Sequence, residues 1–265
     1  MEKQYIRSER AHFMCPNMHF GILAYMDGKP DFSKVRSSLD RLSEAHPFLR
    51  SKMKYDEGST DIFYDVGDSS AIEVNERESI DSLWADYNKI GEKEWNVFEN
   101  GLLKVFIYPV REKMKILFVS HHLLGDGKCL LELVNEFANL YVQGIKPVFA
   151  QERLIQGIED FPDKSDLTGV SKYLVRYLNK QWKKEQHLVS YEEYAKFAEE
   201  FARSNPVSHE VIRIDKQECI SMRKYCKEHG ITVNDLLMAK MYTAMQVNKI
   251  IIAAVTMKRH LLLRQ

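Results

Sequence analysis

Ile116-Leu117-Phe118-Val119-Ser120-His121-His122-Leu123-Leu124-Gly125-Asp126-Gly127 sets two imidazoles, one carboxylate and two glycines directly behind an apolar run. The run reads as a strand and the glycines as the turn that ends it. Lys128 to Val142 then reads as a helix whose Leu130, Leu131, Val134, Phe137, Leu140 and Tyr141 cover one broad face, which should lie on the sheet. Adjacent strand residues point to opposite sides, so one histidine should face a cleft while the other packs inward. A neutral imidazole in a cleft is a natural proton acceptor near neutral pH. Asp126, between glycines, reads as a buried acid that holds the loop by pairing with a distant cation. Gly125 and Gly127 permit the turn and a close approach of substrate to the backbone.

Residue types alone leave other readings open. A histidine pair at a strand end is more often structural than catalytic. His122 and Asp126 have a metal-ligand spacing only on a helix, and the glycines argue against one here. No G-x-S-x-G elbow and no glycine-rich phosphate loop occurs, and Cys129 opens a helix expected to be largely buried.

Outward from the motif, Leu102 to Tyr108 and Lys115 to Ser120 form a plausible antiparallel hairpin around the charged turn Arg111-Glu112-Lys113. His19 to Met26 is a further strand, with Asp27-Gly28-Lys29-Pro30 as its turn. Asp31 or Ser33 caps a helix with Val35, Leu39 and Leu42 at helical spacing, and His46-Pro47 ends it. Ile62 to Tyr64 and Ile72 to Val74 are short strands, and Ile80 to Ile90 is helical.

This mixed α/β lobe occupies residues 1–162. Residues 163–208 form a helical connection, with Tyr173, Leu174, Tyr177, Leu178 and Trp182 on one side of a basic helix and an acidic helix from Tyr191 to Ala202. The basic helix reads as a solvated face rather than a membrane or acidic-partner surface. Residues 209–265 read as a strand over Val211 to Ile214, a helix capped by Asp215 and stopped at Gly230, a second capped by Thr232, and a strand over Lys249 to Met257.

Lys plus Arg and Asp plus Glu both total 38, so the basic excess of a general nucleic-acid binder is missing. No window approaches the ~20 apolar residues of a membrane span. Cys15, Cys129, Cys219 and Cys226 form no C-x-x-C pair and read as buried free thiols, which implies a reducing, cytoplasmic compartment.

H-H-x-x-x-D-G after a strand is complete at His121 to Gly127. Glu9-Arg10-Ala11-His12 precedes an apolar strand, Leu42 to Arg50 contains His46-Pro47-Phe48-Leu49-Arg50, and Gly230 to Leu237 opens a helix. In these segments and their order the chain resembles the condensation-domain and chloramphenicol acetyltransferase-like acyltransferase superfamily. The resemblance implies a two-lobed α/β fold, with a mixed sheet in a two-layer α/β sandwich and a tunnel between lobes. The first lobe is then complete and the second partial.

It also implies an acyl thioester donor, on coenzyme A or a carrier-protein phosphopantetheine arm, and a small hydroxyl or amine acceptor. No permanently bound cofactor, metal or covalent acyl-enzyme is expected. By position His122 is the general base or substrate-positioning residue, His121 supports it, Asp126 is structural and Gly127 makes room beside the donor. An arginine near the strand end after Ile250 pairs with the motif aspartate in such proteins; Arg259 is the candidate by residue type and Lys258 the fallback. The D-F-G-W-G-like segment of a full second lobe does not occur, so much of one tunnel wall is expected to be missing. The readings are therefore an acyltransferase completed by a further segment or a second copy, a truncated or non-catalytic relative that binds an acyl group or a protein, and a small-molecule-binding or scaffold protein.

Overall fold

The hairpin anticipated around the motif is the centre of the fold. The computed structural model describes residues 3–6, 12, 18–56, 61–92, 95–149, 154, 169–185, 191–205 and 214–246, and the first 150 positions hold seven described strands and three described helices of a mixed α/β lobe. They are β1 (Gln4–Tyr5), β2 (His19–Asp27), α1 (Phe32–Ala45), β3 (Ser51–Tyr55), β4 (Ile62–Val66) and β5 (Glu73–Glu76). Then come α2 (Leu83–Glu92), β6 (Leu103–Val110), β7 (Lys113–His121) and α3 (Gly127–Gln143). Two 3-10 turns, Pro47–Arg50 and Ile80–Ser82, precede β3 and α2.

The larger sheet has the order β2-β7-β6-β5, antiparallel except for the parallel β5–β6 pair. β7 lies inside it, which explains its continuous apolar run: a strand covered on both faces has no polar side to show. One face meets α1 and α3 through Val105, Ile107, Ile116 and Phe118 against Val35, Leu39, Leu130, Val134 and Phe137. Phe106, Tyr108, Leu117 and Val119 meet Leu83 and Tyr87 of α2 on the other, so helices cover both faces of this sheet. The α1 start follows the sequence reading, with the Asp31 carboxylate accepting from the Lys34 backbone N–H at 2.9 Å.

Of the smaller sheet, β1-β4-β3, only β4 follows the sequence reading. β4 carries the apolar residues expected of it, whereas β3 is Ser51-Lys52-Met53-Lys54-Tyr55 and buries Met53 as its one large apolar side chain. Leu131 leaves the predicted packed face of α3 and is 49% exposed. Its helical neighbours Leu130 and Val134 already fill the angle that faces the sheet.

The chain divides into two units, Met1–His209 and Glu210–Gln265. α4 (Gly169–Glu185) and α5 (Tyr191–Ser204) end the first. Tyr173, Leu174, Tyr177 and Leu178 of α4 all lie in solvent; the side chain of Trp182 lies outside the described residues. In the second unit α6 (Lys216–Glu228) starts with a capping box between Asp215 and Glu218. Gly230 follows the helix at φ +65°. Residues 233–246 form α7, with the Thr232 hydroxyl accepting from the Asp235 N–H at 3.1 Å. The strand expected over Lys249 to Met257 lies outside the described residues. So does that over Val211 to Ile214, except for Ile214, which is in no helix or strand.

Two cysteine expectations are corrected. Among the described residues Cys129 and Cys219 are exposed free thiols and only Cys226 is buried. Cys15 lies outside them. No described helix is long and apolar enough to cross a membrane.

Candidate active site

The motif occupies the end of β7, the turn after it and the first turn of α3. His121 is the last strand residue. It pairs in register with His19 of β2, and its backbone N–H donates to the Leu102 carbonyl at 2.9 Å. His122 is tied to the other side, its N–H donating to the Met18 carbonyl at 2.8 Å. The expected division of the two side chains follows from these ties.

His121 is 6% exposed, with its ring edge-on to Trp95 at 5.6 Å between centroids. The Trp95 indole N–H donates to the Gly101 carbonyl at 3.0 Å, which holds that wall in place. His121 Nδ1 accepts the Leu123 backbone N–H at 3.2 Å, so a neutral His121 carries its proton on Nε2. Burial drives its pKa down from 6.5 to about 3, helped by His19, His122 and His12 nearby. A ring so placed braces the turn and resists protonation.

His122 is only half-buried. It packs against His12 at 4.2 Å and 34° between ring planes, and edge-on to Phe20 at 5.2 Å. Its Nδ1 is buried and has no hydrogen-bond partner among the described residues. Of the two adjacent histidines, this is the one whose ring makes no hydrogen bond to the fold among the described residues.

The turn is anchored from below. The Tyr64 hydroxyl donates to the Leu123 carbonyl at 2.5 Å, and Leu123 is buried beside Phe48, Val97 and Leu102. Phe48 and Tyr64 stack at 4.4 Å with planes 4° apart. The smaller sheet thus positions the motif through β4. At Gly125, φ is +154°, and a Cβ there would sit 2.9 Å from Cys129 Cβ. Nothing lies within 4 Å of the space a Cβ would take at Gly127.

Asp126 corrects the sequence reading. It is exposed rather than buried, and it is the N-cap of α3, its carboxylate accepting from the Cys129 N–H at 2.9 Å. That hydrogen bond, above all, holds its pKa below the ordinary value. Its pattern fits the cap rule as well as the ion-pair rule: an Asp followed by a helix whose first N–H groups need acceptors. Among the described residues Asp126 makes no ion pair; Arg259 and Lys258 lie outside them.

A cavity of about 740 Å³ opens beside the turn, between α3 and the His46-to-Leu49 segment, and touches Gly125, Asp126, Cys129 and Leu130. His46 and Glu136 form a 2.5 Å contact on its wall, and neither motif histidine lines it. Among the described residues no cluster of three or more His, Cys, Asp or Glu side chains is arranged to hold a metal ion. Sequence reasoning assigned no role to His12, His19, Trp95 or Tyr64. His19 was accessible in principle, because antiparallel pairing of its strand with β7 sets it opposite His121. The approach of His12 and Tyr64 is tertiary and leaves no local signal.

The condensation-domain family profile matches residues 18–261, most of the chain. Surfactin synthase subunit 1 of Bacillus subtilis (strain 168) is 32% identical over 133 residues, 46% of this chain and 4% of that protein. Among solved structures, the condensation domain from Monacolin K polyketide synthase MokA is similar in fold at a TM-score of 0.50 and 12% identity. It covers 88% of this chain and 57% of its own. The epimerization domain from the third module of tyrocidine synthetase B is similar at a TM-score of 0.47 and 14% identity, covering 72% and 45%. The chain thus spans about half of these two solved domains and a small fraction of the synthase subunit.

Proposed function

The chain belongs to the condensation-domain family, and from that premise we propose that it moves an acyl group from a thioester donor to a hydroxyl or amine acceptor, with His122 as general base. The asymmetry of the histidine pair carries this reading. His121 spends Nδ1 on the Leu123 N–H and is held neutral by burial. His122 is half-buried and its ring makes no hydrogen bond among the described residues; with Nδ1 buried, Nε2 is the nitrogen that exchanges a proton with substrate.

The chemistry follows. The acceptor lone pair forms a bond to the thioester carbonyl carbon while the acceptor proton passes to the His122 imidazole. The tetrahedral intermediate then collapses, the C–S bond breaks, and the leaving sulfur takes that proton back. An ester or amide and a free thiol result, and His122 returns to its starting state. In this scheme Asp126 holds the start of α3, and the open space beside Gly127 admits the donor arm. Pairing of Asp126 with Arg259 or Lys258 belongs to the same proposal.

The donor we favour is an acyl group on a carrier-protein phosphopantetheine arm, because the relatives named above are parts of multidomain synthases; coenzyme A carries the same terminal thiol arm. The same proposal treats residues 1–162, 163–208 and 209–265 as first lobe, helical connection and part of a second lobe. Exposed free Cys129 and Cys219 are consistent with a reducing, cytoplasmic setting.

The test is product formation. The chain is incubated with octanoyl-pantetheine or octanoyl-coenzyme A and with small amine and alcohol acceptors, and thiol release and product mass are followed. Ester or amide formed in step with thiol release is the expected result. Hydrolysis alone, or no turnover with either donor, would contradict the proposal.

A further inference from the structure

Four imidazoles gather at one end of the larger sheet: His19 opens β2, His121 closes β7, His122 follows it, and His12 packs on His122. Three are accounted for by strand pairing and the motif. His12 is not.

We infer that His12 is a positioning residue for His122, which rests on the acyl-transfer reading above. A catalytic imidazole commonly has its ring and tautomer fixed by a hydrogen bond to its second nitrogen. His122 lacks that device, since its Nδ1 is buried without a partner among the described residues. Ring packing takes its place. His12 lies against one side at 4.2 Å, Phe20 stands edge-on at 5.2 Å, and the His122 backbone N–H is held by the Met18 carbonyl at 2.8 Å.

The geometry says that His12 acts by its ring and not by its nitrogens. An N–H···N bond between imidazoles runs in the ring plane, edge to edge. Here the planes are only 34° apart at a stacking distance, and His12 Nδ1 is itself buried and unpartnered. The contact is therefore a flat aromatic surface against a flat aromatic surface. Its consequence is orientational: a base displaced by ~1 Å can cost on the order of 100-fold in rate.

Three variants separate this from a merely structural role. His12→Ala removes the surface, His12→Phe restores a ring without nitrogens, and His12→Ala combined with His122→Ala tests whether the effect passes through His122. Two readouts are used on the whole chain. The first needs no activity: with histidine labelled by 15N, the ring cross-peaks of His122, identified by their loss in His122→Ala, report its environment. His12→Ala should shift or broaden them and His12→Phe should return one narrow set, while the rest of the spectrum stays dispersed. The second is kcat and KM for octanoyl-pantetheine with an amine acceptor. His12→Ala should lower kcat about 10- to 100-fold with little change in KM. His12→Phe should recover most of that loss, and His12→Ala should cost nothing further in the His122→Ala background.

Unchanged His122 cross-peaks in His12→Ala would overturn the inference, as would failure of phenylalanine to restore them. Additive losses in the double variant would also overturn it, because His12 would then act independently of His122. If His122→Ala is fully active, the acyl-transfer reading fails instead, and the spectral arm still decides whether His12 orients the ring.

Discussion

His121 and His122 are neighbours with opposite fates, and the difference lies in what each ring spends on the fold. Alternation along a strand separates the two side chains, which was legible in the sequence. Which of them faces inward was not, because it depends on Trp95 and on the register of β2. The buried member has a thermodynamic signature. Folded His121 stays neutral down to about pH 3, whereas an unfolded histidine titrates near 6.5. Between those values the unfolded state binds the extra proton. The stability that neutral His121 contributes is therefore full above about pH 6.5 and is lost as pH falls toward 3, at up to about 1.4 kcal/mol per pH unit. His121→Asn should flatten the fall in urea midpoint of the chain between about pH 7 and about pH 4.5. An unchanged slope would mean that His121 is not buried neutral.

Helix and strand signals were read well where a local rule set them. The Asp31 and Asp215 caps, the Gly230 stop and the β6–β7 hairpin follow from cap chemistry, positive φ and apolar runs. β3 escaped because it buries one large apolar residue between two lysines and owes its existence to pairing with β4. The exposed side of α4 shows the opposite limit, since an apolar stripe says that a surface wants cover but not where the cover is. At the start of α3 the sequence named the right residue and the wrong partner. Asp126 caps the helix, so Asp126→Ala should lower the denaturation midpoint, and Asp126→Asn, which still accepts a hydrogen bond, should lower it far less. Chemical denaturation of the two variants measures this. A large loss for Asp126→Asn would instead reveal dependence on the carboxylate charge at the start of α3.

At the scale of the first unit, two sheets and three helices among the described residues surround one loop. α1 and α3 pack under the larger sheet, α2 covers its other face, and β4 reaches the loop through Tyr64. Among the described residues this scaffold holds the His121-to-Gly127 turn without a hydrogen bond to the His122 ring. The central claim is that His122, and not His121, exchanges the proton in acyl transfer. It is tested most directly by the rate of amide formation from octanoyl-pantetheine for the chain and for His122→Ala, with folding of both checked by circular dichroism. A loss of about 100- to 10,000-fold in the variant is predicted; a rate within about twofold of the unaltered chain would contradict the assignment.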